Sequence, residues 1–292
     1  MNHANEFWQL WHLVPVQRAL VALILGAIGL PIVGVVIIGL DIMPVRFAMM
    51  HVALFGIAIG ILTGLDPLLC GLVACAISGA SLTPLARSPA GLSGAMGLLM
   101  SLAIAGALLT LSISGVNANG AFELLWGSIL ATRTSDVVLL GVLAVLIPAL
   151  FVLRRRQLGL LLFDRELATC SGVRVNQLTL VLLVLVAVAV AAGIRLTGAL
   201  LVDALTLLPA LAARRLANSL PGMVIAAVVV GLLVNVTGFV LAVWFDLPPG
   251  PVLVLAAGAV ALAVHVLPDG RRRGWPSAEE NGSHASGSVS LH

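Results

Sequence analysis

The chain has 292 residues, of which 61% are hydrophobic and only 9% are charged, and its formal net charge is +3. Its mean hydropathy is +1.17. A soluble globular domain carries about 25% charged residues, so this composition excludes a soluble globular domain. We also expect no nucleic-acid partner. Apolar stretches that can cross about 30 Å of hydrocarbon recur along the chain. In lipid the backbone polar groups are satisfied within helices, so the sequence predicts an all-α polytopic membrane protein.

Apolar runs in chain order predict about nine transmembrane helices. Asp66 and Pro67 are expected to open the third helix, and the proline-rich run 246–251 predicts a rigid turn into the last one. Residues 1–18 are predicted to be an extracytoplasmic N-terminal segment, 19–268 the transmembrane domain, and 269–292 a disordered cytoplasmic tail. The predicted helices span 19–40, 45–64, 67–86, 91–114, 136–153, 177–194, 196–213, 221–243 and 249–267.

The positions of the arginines predict an orientation, since cytoplasmic loops of membrane proteins collect cations. All the basic side chains are Arg, with no Lys. With a cytoplasmic C-terminus, the outer loops keep only Arg18, Arg133 and Arg195. The inner loops then contain Arg46, Arg87, Arg154, Arg155, Arg156, Arg165, Arg174, Arg214, Arg215, Arg271, Arg272 and Arg273.

The predicted cytoplasmic segment 157–176 differs from the other loops because it contains a candidate short helix. Asp164 is a suitable N-cap for such a helix, and Gly172 is suited to end it. A short amphipathic helix at this face is a natural docking element for a soluble partner. The alternative is an ordinary interhelical loop.

Several motifs in the same order and spacing resemble the metal-ion permease family of ATP-binding-cassette (ABC) transporters. These are Leu125–Leu130, the run Phe163–Ala168 with Gly172, Gly198–Leu205, Leu208–Arg214 with Ser219, and Asp246–Pro251. The resemblance covers roughly residues 20–265. It implies the fold of an ABC importer permease of the metal-ion/vitamin B12 type, in the bacterial cytoplasmic membrane.

The resemblance also implies partners. The permease would work as a homodimer with cytoplasmic ABC ATPase subunits and an extracytoplasmic metal-binding protein, and Asp164, Arg165, Glu166 and Gly172 would couple it to the ATPase. A phosphate-binding P-loop needs a Lys, and this chain has none. The chain is therefore expected to be a transport subunit without its own ATPase motif and with no permanently bound cofactor.

Ionisable side chains inside transmembrane spans are costly and are functional candidates. His51 lies in the second predicted helix, in a run that resembles the family's His-Ala/Ser-x-Leu-x-Gly element, whose His is implicated in the metal pathway. The family usually has Asp four residues earlier, where this chain has Phe47. Asp203 in the seventh helix is a candidate replacement ligand. Imidazole plus carboxylate suits zinc or manganese better than calcium, and the resemblance adds iron to the implied cargoes.

A transport site with few ligands releases its ion more readily than a structural site does, so His51 and Asp203 are expected to form a sparse site. The alternative is that His51 bonds a neighbouring carbonyl while Asp203 caps a broken helix. His265 is expected to be an interfacial histidine. Two other functions stay open, an ion- or proton-coupled secondary transporter and an ABC permease for a metal chelate.

Overall fold

A computed structural model of the chain describes residues 13–82, 89–115, 129–197 and 199–266, without the side chains of 89–93, 195–197, 199–201 and 203. Throughout this part of the chain the long regular elements are α-helices. They are α1 Val14–Gly39, α2 Met43–Thr63, α3 Pro67–Ser81, α4 Pro89–Ile113, α5 Thr134–Leu153, α6 Arg155–Phe163, α7 Arg165–Cys170, α8 Val175–Thr197, α9 Ala199–Leu216, α10 Leu220–Trp244 and α11 Pro249–Val266.

All nine predicted spans appear as helices, and the prediction of an all-α membrane fold is confirmed. Seven of the described helices are long and apolar enough to cross a membrane. The other two are α3, with only 15 residues, and α9, whose charges Asp203, Arg214 and Arg215 lower its hydropathy. Nine crossings is therefore an approximate count.

Helix boundaries follow local chemistry. The Asp66 carboxylate accepts hydrogen bonds from the main-chain nitrogens of Leu68 and Leu69, at 2.8 and 3.4 Å, so it caps α3 as predicted. The hydroxyl of Ser219 similarly accepts from Gly222 N at the start of α10. The first helix begins at Val14, five residues before the predicted 19, because Pro15 suits the first turn of a helix. Residues 269–292 lie outside the described residues.

The bundle is organised around α1, which is largely buried and packs against α5, α8, α9 and α10. On one side α2 packs against α3 and α4, and on the other α9, α10 and α11 pack together; α8 contacts α2, α3 and α9. Close approaches need glycine at the crossings. A Cβ at Gly34 of α1 would overlap the Thr206 carbonyl oxygen of α9.

One end of the bundle carries most of the described arginines. The ends of α1 and α6 meet at Gly39 and Leu162, α6 meets the start of α10 at Leu220, and Arg215 Nη1 donates to His265 O at 2.8 Å. These contacts place the exposed Arg154, Arg155, Arg156, Arg174, Arg214 and Arg215 at this end, which we call the arginine end. The alternation of the helices puts Arg18 and Arg133 at the other end.

The segment between α5 and α8 contains two short helices where one was predicted. The predicted one is α7, capped by Asp164. The other, α6, was not foreseen. It forms because Leu158, Leu161 and Leu162 repeat at helical spacing and are buried against the arginine end.

Candidate functional site

The second helix places His51 two turns from the arginine end. Pro44 sits in the first turn of α2, and Gly64, in a left-handed conformation with φ of 72°, follows its last turn. The helix is fixed by contacts with α3, α4 and α8. The His51 side chain is half-buried in the protomer, so the imidazole is held by the bundle while part of it stays accessible.

A hydrogen bond fixes which nitrogen of His51 is available to a ligand. His51 Nδ1 lies 2.8 Å from the carbonyl oxygen of Phe47, one helical turn earlier. A carbonyl oxygen only accepts, so Nδ1 carries the proton and the neutral ring has its lone pair on Nε2. Metal-binding histidines usually donate their second ring nitrogen in this way, which orients the ring. The hydrogen bond from His51 to a neighbouring carbonyl, which is the alternative to a metal role, therefore exists. It is compatible with a metal role, because it leaves Nε2 available.

The first turn of α2, which precedes His51, contains a buried arginine. Arg46 was expected in a cytoplasmic loop, but it lies in the first turn of α2 and is only 2% exposed. That expectation is wrong because α2 begins at Met43 and packs its first turn into the bundle. The Arg46 guanidinium carbon lies 4.3 Å from the centroid of the Phe47 ring, a cation–π contact, and the Phe47 side chain is 42% exposed.

The structure gives only part of the predicted His51/Asp203 pair. The backbone of Asp203 lies in α9, and its side chain lies outside the part of the chain that the structure describes. Among the described residues, α2 and α9 do not form an extensive helix pair; both contact α1 and α8. Whether the two side chains meet thus stays a prediction.

No cluster of three or more His, Cys, Asp or Glu side chains that could hold a metal ion occurs within the described residues. Cys75 is buried, and its Sγ lies 3.5 Å from the Met49 carbonyl oxygen, which makes it a packing contact between α3 and α2. His265 is exposed at the arginine end of α11. In the part of the chain that the structure describes, the atom of the apolar span of α2 that can offer a lone pair to a metal ion is Nε2 of His51.

The second candidate region is α7, at the arginine end. The Asp164 carboxylate accepts from Glu166 N at 2.7 Å and from Leu167 N at 3.0 Å, which confirms the predicted cap. At the other end Gly172, with φ of 77°, donates to Thr169 O, and Val173 N donates to Ala168 O. This is a Schellman motif, so the predicted role of Gly172 in ending the helix is also confirmed.

A cleft of about 670 Å³ borders α7 and the start of α8. Arg165, half-buried, lies on its wall with the exposed Arg174, and Asp164 and Glu166 are exposed nearby. The remaining lining residues are Thr169, Val173, Val175, Asn176 and Gln177. The region thus offers a charged recess beside a rigid, capped turn of helix.

Two features were missed from sequence. The burial of Arg46 could have been suspected, since it lies between Pro44, a helix-start signal, and an uninterrupted apolar run. The leucine repeat of α6 is present in the sequence, but the arginines that precede it favoured the prediction of a loop.

Comparison with known proteins agrees with this architecture. Residues 13–267 match the model of the ABC 3 transport family. The chain is 23% identical to the "High-affinity zinc uptake system membrane protein ZnuB" of Haemophilus influenzae over 208 residues, 71% of this chain and 80% of that protein. It is 27% identical to the "Manganese transport system membrane protein MntC" of Halalkalibacterium halodurans over 257 residues, 86% and 87% of the two chains.

A solved structure shows the same fold. The chain superimposes on PsaBC from Streptococcus pneumoniae in complex with Fab with a TM-score of 0.77 and 26% sequence identity, covering 92% of this chain and 98% of that one. The family match extends over nearly all the described helices, and the structural match over the same bundle. The chain therefore belongs to the ABC 3 transport family.

Proposed function

We propose that this chain is the transmembrane permease subunit of an ATP-driven importer of divalent metal ions, with zinc as its preferred cargo. The observation that carries the proposal is the orientation of His51. Its Nδ1 proton is donated to Phe47 O, and its Nε2 lone pair lies on a half-buried side chain inside an apolar helix. Two similar proteins are named as zinc and manganese transport membrane proteins, which supports a divalent cation as cargo.

Zinc is preferred over manganese on the chemistry of the donor. Neutral imidazole nitrogen binds zinc well, whereas carboxylate and carbonyl oxygens suit manganese. With one fixed nitrogen in an apolar span, the site has few ligands and binds the ion only transiently. Asp203 is the proposed second ligand, from the same protomer or from the second copy of a homodimer. Manganese and iron are the cargoes that remain if oxygen donors prove dominant.

The partners follow from what the chain lacks and what it exposes. It contains no Lys and hence no P-loop, so ATP hydrolysis belongs to a separate cytoplasmic subunit, with an extracytoplasmic binding protein delivering the ion. We place the arginine end in the cytoplasm by the positive-inside rule. There α7, with Asp164, Arg165, Glu166 and Gly172, is the proposed contact that transmits ATPase movement to the helices around His51.

Uptake of zinc-65 in cells that express this chain with its ATPase and binding protein tests the proposal. His51→Ala and Asp203→Asn are each expected to lower uptake by more than about tenfold at matched membrane levels. His265→Ala is the matched control, because it removes an exposed imidazole while the main-chain contact with Arg215 remains.

Competition distinguishes the cargoes. Excess unlabelled zinc is expected to suppress zinc-65 uptake more strongly than excess manganese does. If His51→Ala transports like the wild type, the His51 path is wrong. If no zinc, manganese or iron moves, or if the uptake that is seen does not depend on the ATPase, the proposed function itself is wrong.

A further inference from the structure

The less buried face of α2 carries an aromatic ring on each side of His51. Positions 52–54 and 56–58 are buried, whereas four positions at four-residue spacing are not fully buried. These four are Phe47, His51, Phe55 and Ile59. Residues four apart lie on one face of a helix. An ion at His51 Nε2 therefore has a phenylalanine one helical turn away in each direction.

The side chain of Phe55 covers the turn of α2 that contains His51. A long side chain in an α-helix points back toward the N-terminus and lies over the turn before its own Cα. The His51 ring follows the same rule, since its Nδ1 reaches back to Phe47 O at 2.8 Å. Phe55 therefore covers His51 from the side away from the arginine end.

A glycine of α4 holds the Phe55 ring in place. A Cβ added at Gly106 would lie 2.8, 3.1 and 3.2 Å from the Cε2, Cζ and Cδ2 atoms of Phe55, and these are its three nearest atoms. The ring thus rests directly on the backbone of α4. Any larger residue at position 106 has to displace the ring or push α4 away from α2.

The helix that holds this ring is attached to the bundle chiefly through α2. Among the described helices, α2 is the one that α4 packs against extensively, whereas α2 also packs against α3 and α8. A shift of α4 against α2 therefore breaks few other contacts. It carries Gly106 away from Phe55 and gives the ring room to turn aside.

We propose that Phe55 is a gate residue of the ion path and that Gly106 positions it. With the ring on Gly106, the approach to His51 Nε2 from the side away from the arginine end is closed, because an apolar constriction excludes the water that a hydrated ion brings with it. A shift of α4 opens this approach. The inference rests on the proposed function, since it assigns a gate to the same site.

A gate has a kinetic signature that a packing contact lacks. It adds a barrier to the path and leaves the free and bound states as they are, so its removal speeds up binding and release by the same factor. A Phe55 that only packs α2 against α4 gives a different pattern. Its substitution lowers thermal stability, and the rate constants of the folded protein stay at their wild-type values.

The experiment measures both rate constants for zinc by stopped-flow with a fluorescent zinc chelator, on the full chain assembled with its ATPase in nanodiscs. We expect Phe55→Ala to raise both by about tenfold, while their ratio, the Kd, stays near that of the wild type. Ile59→Ala is the matched control, since it shortens an apolar side chain of the same face one turn further from His51. If Phe55→Ala does not assemble, Gly106→Ala provides the test, because it displaces the ring.

The double variant Phe55→Ala/Gly106→Ala shows whether Gly106 acts through the ring. Residues in contact have non-additive effects, so we expect Gly106→Ala to speed up both rates alone and to add nothing once the ring is gone. Unchanged rates in either folded single variant, a change in release alone, or a Gly106→Ala effect that persists without the ring overturns this inference alone, provided that His51→Ala still weakens binding. Zinc binding that is the same in the wild type and in His51→Ala overturns the proposed site, and the inference with it.

Discussion

Two helices that begin at the arginine end, α2 and α7, use the charged side chains of their first turns in opposite ways. In α7 the charges are exposed or half-buried, and the Asp164 carboxylate caps two main-chain nitrogens of its own helix. In α2 no side chain caps the helix, and the charge of the first turn, on Arg46, is buried.

The difference shows that a charged side chain at a helix start can either cap its own helix, as Asp164 does, or be buried in the bundle, as Arg46 is. Asp164 satisfies two main-chain nitrogens of its own helix, so the start of α7 is fixed locally while its exposed charges can contact a partner. Arg46 and His51 depend on α3, α4 and α8 to fix the position of α2. The site on α2 should therefore respond to changes in distant packing, whereas α7 should respond to local changes.

The largest expected effect comes from the packing of α2 against α3 at Gly56. A Cβ at Gly56 would lie 2.7 Å from both Cys70 O and Gly71 Cα of α3, so Gly56→Ala forces the two backbones apart. We expect it to destabilise the protein by about 1–3 kcal/mol, and to weaken zinc binding at His51. Thermal unfolding in detergent and chelator competition measure the two effects.

The matched control for Gly56→Ala is Gly258→Ala in α11, where an added Cβ meets nothing within 4 Å. There the loss of glycine's backbone freedom should stabilise the helix by about 0.5–1 kcal/mol. Equal melting temperatures for the two variants would mean that α2 does not depend on its contact with α3.

A carboxylate placed one turn before His51 is expected to have the next largest effect. In Phe47→Asp the new carboxylate shares the His51 face of α2, because residues four apart in a helix lie on one face. It removes the ring that Arg46 stacks on and adds an oxygen ligand. Zinc should bind about 10–100-fold more tightly, as measured by chelator competition. Phe47→Leu is the control, and equal affinity in the two variants would contradict the prediction.

How much could be predicted from the sequence depends on the range of the interactions. The nine helices and the α7 motif were predictable because apolar length, Asp164 and Gly172 act on their own neighbours. For the burial of Arg46 the sequence held only one signal, the preceding Pro44, and the carbonyl bond of His51 stood only as an alternative, since both depend on where α2 begins and on what packs against it. The departure at Phe47 was visible, but its contact with Arg46 was not.

Removing the α7 cap tests the local side of the comparison. Asp164→Ala leaves the main-chain nitrogens of Glu166 and Leu167 without their acceptor, at a cost of about 1–2 kcal/mol to this turn of helix. We expect ATP-dependent uptake to fall while zinc affinity at His51 is unchanged. Asp164→Asn caps about as well and should restore uptake. Failure of Asp164→Asn to do so would show that the carboxylate charge, not the cap, is what the ATPase partner needs.

The smallest expected effect is at the other end of α7. Gly172 adopts a φ of 77°, where a Cβ crowds the backbone, so Gly172→Ala should cost about 1 kcal/mol. That cost falls on the Schellman bonds to Ala168 and Thr169, so hydrogen exchange of the α7 amides should speed up by about fivefold. Gly159→Ala in α6 is the control, since the nearest atom to its Cβ is 4.0 Å away. Faster exchange that spreads into α2 would break the comparison, because it would show that α7 and the His51 helix are one cooperative unit and that local strain at the arginine end reaches the proposed ion path.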